Sequence, residues 1–332
     1  MRNPSLSVIM PILNEEQYLR IAAESVLRQE YDGEWELMLV LGPSVDKTNE
    51  IAQQLQKEFS RIVLVDNPVG KTTSGMNAAI ALSRYEIVIR VDAHTELPKD
   101  YFKDSVEILM ARNADLLGGV MKAVGDTPFQ SAVAWGYNSR FGLGGGTYHI
   151  GGEEQEAESA YLGVFKKTAL ERVSGYDTNI IRGEDWDLAQ RIKKTGGLIW
   201  FSPRLVVKYW PRASVVALAR QFYSTGVWRG HLTRRSVKEA SLRYFVPPMT
   251  VAAIVVGLML SVFGIQIGLI PAVGYLSALV VVTLTARGVS MRTRVLLPIA
   301  LATMHFSWGY GFIIGFIRGA ESTLDRSRVT AK

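Results

Sequence analysis

The chain contains no cysteine among its 332 residues. Disulfide bonds, thiolate metal sites and cysteine nucleophiles are therefore excluded. No G-x-G-x-x-G sequence follows the first predicted strand, so a dinucleotide cofactor is not expected. No Walker-type lysine–serine pair closes the glycine-dense stretch at 141–152 as a phosphate loop. The opening residues, Met1–Pro4, run directly into a strand and do not read as a signal peptide.

Positive charge and apolar sequence are in excess, with a net charge of +6 and a mean hydropathy of +0.12. Much of the positive charge gathers at Arg229–Arg243 and Arg287–Arg294, on either side of apolar segments. This distribution is typical of cytoplasmic loops beside membrane spans. It indicates a membrane partner rather than nucleic acid.

Residues 1–212 alternate between short apolar runs and segments with helical periodicity. Strands are predicted at Leu6–Ile12, Trp35–Leu41, Ile62–Val65 and Ile87–Val91, each followed by a turn and a helix. Such alternation predicts an α/β domain with right-handed crossovers. A ligand is expected at the edge of the sheet where the carboxyl ends of the strands meet.

The fourth predicted strand ends in Asp92-Ala93-His94. Residues two apart on an extended backbone point the same way, so Asp92 and His94 face one ligand. A carboxylate with an imidazole suits a divalent metal, with Mn²⁺ tolerating the pair better than Mg²⁺. The alternative is a capped turn, in which Asp92 bonds its own loop and His94 lies on the surface.

A second acidic group, Glu184 and Asp185, stands at the predicted start of a helix after Gly183. Acidic residues in a first turn are favoured by the helix dipole, which is a sufficient structural explanation. They would also be well placed as a catalytic base if that helix end faces the ligand.

The stretch Phe141–Gly152 is too rich in glycine for a strand. We expect a mobile active-site flap there, with a disordered linker as the alternative.

The C-terminal third is predicted to meet the membrane. Residues 213–243 have the pattern of basic amphipathic helices with aromatic residues, which lie in a membrane interface; a buried domain helix is the alternative. Apolar segments at 244–264, 267–286 and 295–317 are each long enough to cross the hydrocarbon core, and residues 319–332 form a tail. The arginines of the 287–294 loop place it in the cytoplasm, so the first two apolar segments form an in–out–in hairpin. A third crossing would leave the tail outside, where Arg318, Arg326 and Arg328 disagree with it.

Several segments together resemble the family 2 glycosyltransferases of the GT-A nucleotide-diphospho-sugar transferase fold, a Rossmann-like mixed sheet. Similarity is strongest to the membrane-attached enzymes of succinoglycan-type exopolysaccharide synthesis. It is carried by Ser7-Val8-Ile9-Met10-Pro11-Ile12-Leu13-Asn14-Glu15, Asp92-Ala93-His94, Tyr161-Leu162-Gly163-Val164-Phe165, Gly183-Glu184-Asp185, Ala219-Arg220-Gln221-Phe222-Tyr223 and His305-Phe306-Ser307-Trp308-Gly309-Tyr310-Gly311.

The resemblance implies an inverting glycosyltransferase of the inner membrane, with a nucleotide-sugar donor and a polyprenyl-diphosphate-linked acceptor. Asp92 and His94 would hold Mn²⁺ or Mg²⁺. Asp185, or failing it Glu184, would be the general base. Matches around the donor are Pro11, Asn14, Glu15, Asp46, Lys71 and Arg90. Matches on the acceptor side are Arg220, Gln221, Trp228 and Arg229.

One position departs from the family. Relatives carry an aspartate after the second strand that reads the uracil ring, whereas this chain has Leu41-Gly42-Pro43. A UDP-sugar stays the favoured donor and another nucleotide stays open. Two other functions are also open: a polyprenyl-phosphate sugar synthase with a lipid monophosphate acceptor, and a catalytically silent membrane subunit that binds nucleotide sugar. The oligomeric state is not predicted.

Overall fold

A computed structural model describes residues 3–143, 145–235, 237 and 240–320. The chain divides into two compact units. The first comprises Met1–Lys122 and Thr147–Tyr209, and the second comprises Ala123–Gly146 and Trp210–Glu321.

The first unit is built on a mixed sheet, which in the described residues has nine strands. The strands are β1 (Leu6–Ile12), β2 (Trp35–Leu41), β3 (Ile62–Asp66), β4 (Ile87–Arg90), β5 (Thr95–Glu96), β6 (Leu116–Ala123), β7 (Gln155–Glu156), β8 (Val164–Lys166) and β9 (Ile199–Tyr209). Their order is β3-β2-β1-β4-β8-β6-β9-β5, with β7 beside β9. β1 to β4 pair in parallel, and β8 runs antiparallel to both β4 and β6.

Helices cover this sheet and form most of the second unit. They are α1 (Leu19–Leu27), α2 (Thr48–Glu58), α3 (Thr72–Leu82), α4 (Tyr101–Ala111), α5 (Pro128–Tyr137), α6 (Arg140–Leu143), α7 (Thr147–Ile150), α8 (Lys167–Arg172), α9 (Glu184–Lys194), α10 (Val215–Arg235), α11 (Val246–Val262), α12 (Ile270–Thr285) and α13 (Met291–Arg318). Short 3₁₀ turns at Leu242–Phe245 and Gln266–Leu269 precede α11 and α12.

The centre of the sheet explains the continuous apolar runs of the sequence. β1, β2 and β4 are buried on both faces, with one core under α1, α2 and α4 and another under α3 and α9. Central parallel strands of this kind are apolar throughout rather than alternating. The parallel β1, β2 and β4 direct their carboxyl ends to one edge, as predicted.

The two units do not follow the linear division predicted at residue 212. The break between β9 and Trp210 lies near it, but Ala123–Gly146 belongs with the C-terminal helices. α5 carries no charged residue and packs on α13, where Gly136 faces Leu301 and Met304. Because α5 lacks charged residues, its sequence shows no pattern that would assign it to the second unit rather than to the first.

α10 also differs from a helix whose apolar face lies in lipid. Its aromatic and aliphatic residues Phe222, Trp228 and Leu232 are buried within the second unit. Phe222 meets the ring of Tyr137 of α5 edge-on. This face of α10 is therefore that of a buried domain helix, as the alternative prediction had it.

Three apolar helical stretches are long enough to cross a membrane: Leu242–Val262, Gln266–Thr285 and Met291–Arg318. Each begins within a few residues of the segment predicted from sequence. They differ in burial, because 39% of the apolar window of the third is covered by protein, against 22% and 17% for the others.

The glycine-dense stretch contains two single-turn helices, α6 and α7. Gly144, between them, lies outside the described residues. The role of the stretch Phe141–Gly152 as a mobile flap stays a prediction.

Candidate active site

The tip of β4 presents Asp92 and His94 where the carboxyl ends of the central strands meet. Glu15, from the loop after β1, places its Oε1 3.0 Å from Nδ1 of His94. The imidazole also lies edge-on to the ring of Tyr209, with centroids 5.3 Å apart. Two neighbouring elements thus hold His94 in one orientation.

Arg90, the last residue of β4, gathers the acidic residues of the site. Its side chain is only 7% exposed, and its Nε donates to Asp92 Oδ1 at 3.0 Å. Its terminal nitrogens donate to Glu184 Oε1 at 3.3 Å and to Asp185 Oδ1. One buried guanidinium therefore brings the carboxylate of the β4 tip together with the pair at the start of α9. The resemblance assigns Arg90 to substrate binding; here its hydrogen bonds go to these carboxylates.

The start of α9 is fixed by a left-handed glycine. Gly183 has φ 80° and ends the preceding loop, so Glu184 and Asp185 enter the first helical turn. A side chain at this φ would be strained. Asp185 is 37% exposed and Glu184 is 13% exposed, so Asp185 is the more accessible of the two carboxylates.

Desolvation by the surrounding protein raises the pKa of Asp185 to about 7. Arg90 opposes the shift, whereas Glu184 and Asp92 add to it because like charges disfavour ionisation. A carboxyl group with a pKa near neutrality can both accept and release a proton at physiological pH, as a general base requires.

The loops after β1 and β2 are tied to each other. Asn14, in the left-handed region at φ 57°, accepts from Val45 N at 2.8 Å, and its own N–H donates to Ser44 Oγ at 3.1 Å. The N–H of Glu15 donates to Thr48 Oγ1 at 2.7 Å. Asp46 accepts from the N–H and hydroxyl of Thr48 and is therefore part of the turn into α2. Pro11 lies in β1 opposite Val40, just before these loops.

A second link joins the start of α3 to the loop that leads to α9. Lys71 Nζ donates to the carbonyl of Thr178 at 3.2 Å. Asn77 donates to the carbonyl of Tyr176 and accepts from its N–H, both at 2.8 Å. The approach to Gly183 is thus held by α3.

The residues at the β4 tip fit a divalent cation that is shared with a substrate. Across the described residues, no group of three or more histidine and acidic side chains is placed to hold a metal alone. Mg²⁺ and similar ions are commonly bound by one or two carboxylates and by substrate phosphates. Asp92 and His94 supply that incomplete set, and Glu15 at Nδ1 resembles the carboxylate partner of a metal-binding histidine.

The predicted acceptor residues lie in the second unit, on α10. Arg229 stacks on the ring of Tyr244, 4.5 Å from its centroid, and Arg243 lies 5.3 Å from the same centroid. Arg220 is exposed and precedes Arg229 by nine residues, about half a turn away around the helix. The structure therefore brings Arg229 together with Arg243 rather than with Arg220.

Gln221 and Trp228 also lie on α10, and Trp228 is buried with its ring edge-on to that of His231. Trp228 thus packs within the second unit.

Three features of the site escape sequence reasoning. The Glu15–His94 contact joins residues 79 positions apart, and Asn77 carries no motif. Arg243 does not stand out in the sequence, because the segment around it is rich in arginine. An arginine inside the apolar run of β4 was a usable signal, because a buried charge requires partners.

The sequence model described as "Glycosyl transferase family 2" matches residues 7–172, half of the chain. The succinoglycan biosynthesis protein ExoA of Rhizobium meliloti is 29% identical over 92% of this chain and 93% of its own length. A dolichyl N-acetyl-α-D-glucosaminyl phosphate 3-β-D-2,3-diacetamido-2,3-dideoxy-β-D-glucuronosyltransferase of Methanococcus voltae is 24% identical over 95% and 98%.

Among solved structures, a mannosyltransferase of Pyrobaculum calidifontis in complex with GDP-Man and Mn²⁺ superposes with a TM-score of 0.61. The identity is 16%, and the match covers 97% of this chain and 89% of that one. Residues 1–349 of TarS from S. aureus, in complex with UDP, give a TM-score of 0.51 at 17% identity, with 95% and 91% covered. These likenesses show the GT-A fold.

Proposed function

The chain belongs to glycosyl transferase family 2, and we propose that it transfers a sugar with inversion to a lipid-linked acceptor. The donor is a nucleotide sugar, with UDP favoured, and the acceptor is a polyprenyl-diphosphate-linked saccharide in polysaccharide synthesis. The proposal is supported above all by the Arg90 cluster, in which the carboxylates of Asp92 and Asp185 contact one guanidinium.

Asp185 acts as the general base. Its carboxylate accepts the proton of the acceptor hydroxyl, while the hydroxyl oxygen bonds to the anomeric carbon from the face opposite the diphosphate. The bond between that carbon and the diphosphate oxygen breaks, and the proton ends on Asp185. A single displacement inverts the centre and needs no covalent nucleophile. The elevated pKa supports this role, since a base matched to neutral pH is the most effective.

Asp92 and His94 would hold a divalent cation, Mn²⁺ or Mg²⁺, at the donor side of the site. When bound, the cation stabilises the negative charge that develops on the leaving nucleoside diphosphate. Glu15, with Oε1 3.0 Å from Nδ1, would orient the His94 ring, so that Nε2 could serve as the ligand. The mannosyltransferase that contains Mn²⁺ has the same fold, which supports this assignment.

The acceptor diphosphate meets Arg229 and Arg243. Both guanidinium groups lie over Tyr244, directly before α11. Two adjacent positive charges beside an apolar helix suit a phosphate in the headgroup layer, because guanidinium binds phosphate oxygens in bidentate fashion. The Methanococcus relative, whose name includes a dolichyl phosphate-linked sugar, supports a lipid acceptor.

The two alternative functions, a polyprenyl-phosphate sugar synthase and a silent subunit, differ from this proposal in whether they need Asp185. A lipid monophosphate is already ionised and needs no strong base, so a polyprenyl-phosphate sugar synthase would tolerate Asp185→Asn. A silent subunit would need neither Asp92 nor Asp185, and the joint hydrogen bonding of both to Arg90 argues against it.

The decisive experiment uses the full chain in membranes with a panel of labelled nucleotide sugars, followed by extraction of labelled lipid. We expect one donor to label a lipid that carries a diphosphate, and Asp185→Asn to abolish the labelling. Labelling of a lipid monophosphate that persists in Asp185→Asn would select the synthase, and no labelling with any donor would select the silent subunit.

A further inference from the structure

A buried tyrosine beside the candidate active site carries a hydroxyl that the fold itself does not use. Tyr176 lies in the loop between α8 and α9 and is only 3% exposed. Its ring belongs to the core under α3 and α9, with Leu188 and Ala189. The hydroxyl oxygen is buried, and among the described residues it makes no hydrogen bond of standard geometry. A buried polar group without a partner lowers stability, so its presence calls for an explanation.

The surroundings of this hydroxyl connect it to the Arg90 cluster. Burial raises the pKa of Tyr176 and the carboxylate of Asp185 raises it further, whereas the Arg90 guanidinium opposes the shift. Tyr176 in turn acts on the charge of Arg90. The hydroxyl therefore lies close to the guanidinium and stays protonated at physiological pH, as a neutral oxygen that can accept a hydrogen bond.

The backbone of Tyr176 is fixed from two sides. Asn77 of α3 donates to its carbonyl and accepts from its N–H, both at 2.8 Å. The preceding Gly175 has φ 68°, and its carbonyl accepts from Nη1 of Arg191 at 2.7 Å. Any exchange of partners near the hydroxyl therefore requires movement of Asp185 rather than of Tyr176.

The proposed role of Asp185 as general base requires such a movement. Arg90 lowers the pKa of Asp185, so a carboxylate that stays paired with this guanidinium is a weaker base. To take the proton of the acceptor hydroxyl, Asp185 has to turn an oxygen from Arg90 towards that hydroxyl. Asp185 is partly exposed and can turn, whereas Arg90 is buried and would keep an N–H without an acceptor. Leaving such a group unpaired is costly.

We propose that Tyr176 is the second acceptor for Arg90, whose N–H bonds the phenol oxygen when Asp185 turns to the acceptor hydroxyl. Tyr176 is thus a positioning residue that acts on the base through Arg90 and does not touch the substrate. Only a hydrogen bond changes partners: the acceptor's proton still ends on Asp185, and the phenol keeps its own. The inference rests on the proposed sugar transfer and deepens it.

This role explains why the hydroxyl has no partner in the structure. Asp185 is hydrogen-bonded to Arg90 there, so the second acceptor is idle. Phenylalanine at position 176 would fill the same space without an unpaired polar group, and would suit this state at least as well. It would not suit the state in which Asp185 has left Arg90. The hydroxyl is therefore expected to favour turnover and not stability.

The test replaces Tyr176 by Phe in the full chain in membranes, with the donor that labels lipid in the panel described above. Tyr176→Phe keeps the ring and removes the hydroxyl. We expect turnover to fall by about 10- to 100-fold, because a hydrogen bond to a charged group is lost in the transition state only. KM for donor and for lipid acceptor should stay nearly constant. The midpoint of thermal unfolding should stay the same or rise.

Tyr31→Phe is the matched control. The hydroxyl of Tyr31 donates to the carbonyl of Pro4, just before β1 and therefore at the end of that strand remote from the site. Tyr31→Phe should show the opposite pattern, with a lower unfolding midpoint and unchanged turnover. Unchanged turnover in Tyr176→Phe, or a fall in turnover together with a lower unfolding midpoint, would overturn the inference.

A double substitution tests whether Tyr176 acts through the base. In an Asp185→Asn chain no carboxylate has to leave Arg90, so adding Tyr176→Phe should lower the residual turnover no further. A further loss as large as that of Tyr176→Phe alone would show an independent role and overturn the inference. Absence of transfer by the parent chain would defeat the proposed function and this inference with it. Transfer by the parent with equal turnover in Tyr176→Phe would overturn this inference alone.

Discussion

Arg90 decides the electrostatics of the candidate active site. One buried positive charge faces three carboxylates, Asp92, Glu184 and Asp185, so a negative excess remains at the tip of β4. A dianionic diphosphate would be repelled by such a site unless a divalent cation accompanied it. Desolvation raises the pKa of Asp185, and the neighbouring carboxylates Glu184 and Asp92 add to the shift. The acidic residues that share one guanidinium thus bear on both proposals, the metal at Asp92 and the base at Asp185.

Replacing Asp185 by Asn tests its role as base. Asp185→Asn preserves the size of the side chain and its bond from Arg90 but cannot accept a proton. We expect turnover to fall by about 100-fold or more, with donor affinity nearly unchanged. Asp187→Asn is the matched control, because Asp187 lies in the same helical turn and pairs with Arg191. A comparable loss of donor binding in Asp185→Asn would assign Asp185 to the nucleotide instead.

The raised pKa of Asp185 predicts the pH dependence. Because the base must be ionised, kcat/KM for the donor should rise with pH through about 7 and then level off. Stability has the opposite sign, since a carboxyl pKa raised on folding favours the fold below the unfolded value of about 3.9 and loses that contribution as pH rises towards 7.

Asp185→Asn should therefore be more resistant to thermal unfolding than the parent chain at pH 8, and the difference should shrink towards pH 4. Equal stabilities across this range would contradict the raised pKa.

Glu15 is predicted to act on the metal through His94. Glu15→Gln removes the charge at His94 Nδ1 and weakens the control of ring orientation, so apparent Mn²⁺ affinity should fall by about 10- to 100-fold. Metal titration of transfer activity after treatment with EDTA measures this. Glu16→Gln is the control, because the neighbouring Glu16 is exposed and its side chain accepts from the N–H of Lys47. Full activity in excess EDTA would end the metal assignment for Asp92 and His94.

At the scale of elements, two faces of α10 make different contacts. One face packs against α13, and another presents Arg229 to Tyr244 and Arg243. The proposed phosphate site at Arg229 therefore stands on a helix that is packed within the second unit. The sequence pattern does not separate these cases, because a helix packed on a glycine-lined partner and a helix seated in an interface both show an apolar face.

Arg229→Ala should raise KM for the lipid acceptor by at least about tenfold, because a charge-assisted bond to phosphate is lost. KM for the nucleotide sugar should stay constant, since the donor residues belong to the first unit. Arg220→Ala, on the other side of α10, should leave both values near those of the parent chain. A change in donor KM alone would place Arg229 with the donor rather than the acceptor.

At the scale of the whole molecule, the sequence predicts the first unit better than the second. The strands β1 to β4, the Asp92–His94 tip and the start of α9 at Glu184 follow from apolar runs and turn residues close in sequence. The Arg90 cluster and the Glu15–His94 contact depend on strand order, which local patterns do not encode. The membership of α5 in the second unit and the pairing of α10 with α13 depend on glycines such as Gly226 and Gly315. The role of these glycines is visible only in the folded structure, where the backbones of two helices come into contact.

Truncation distinguishes a linear from an interleaved organisation. A division at residue 212 with a separate interface helix predicts that a chain ending at Arg235 is a soluble transferase domain. In the structure, the loss of α13 would uncover Gly226 and Gly230 of α10, which lie against its backbone. We therefore expect residues 1–235 to aggregate without detergent.

A chain ending at Ser290 is the matched variant, because it keeps α11 and α12 but also lacks α13. It should be equally defective, since α11 and α12 do not replace the contacts that α13 makes at Gly226 and Gly230. Size-exclusion chromatography and limited proteolysis of both truncations beside the full chain measure the effect. A monomeric, protease-resistant 1–235 chain that binds donor would show that α5 and α10 complete their fold without α13, and that the second unit is only an attachment to the membrane.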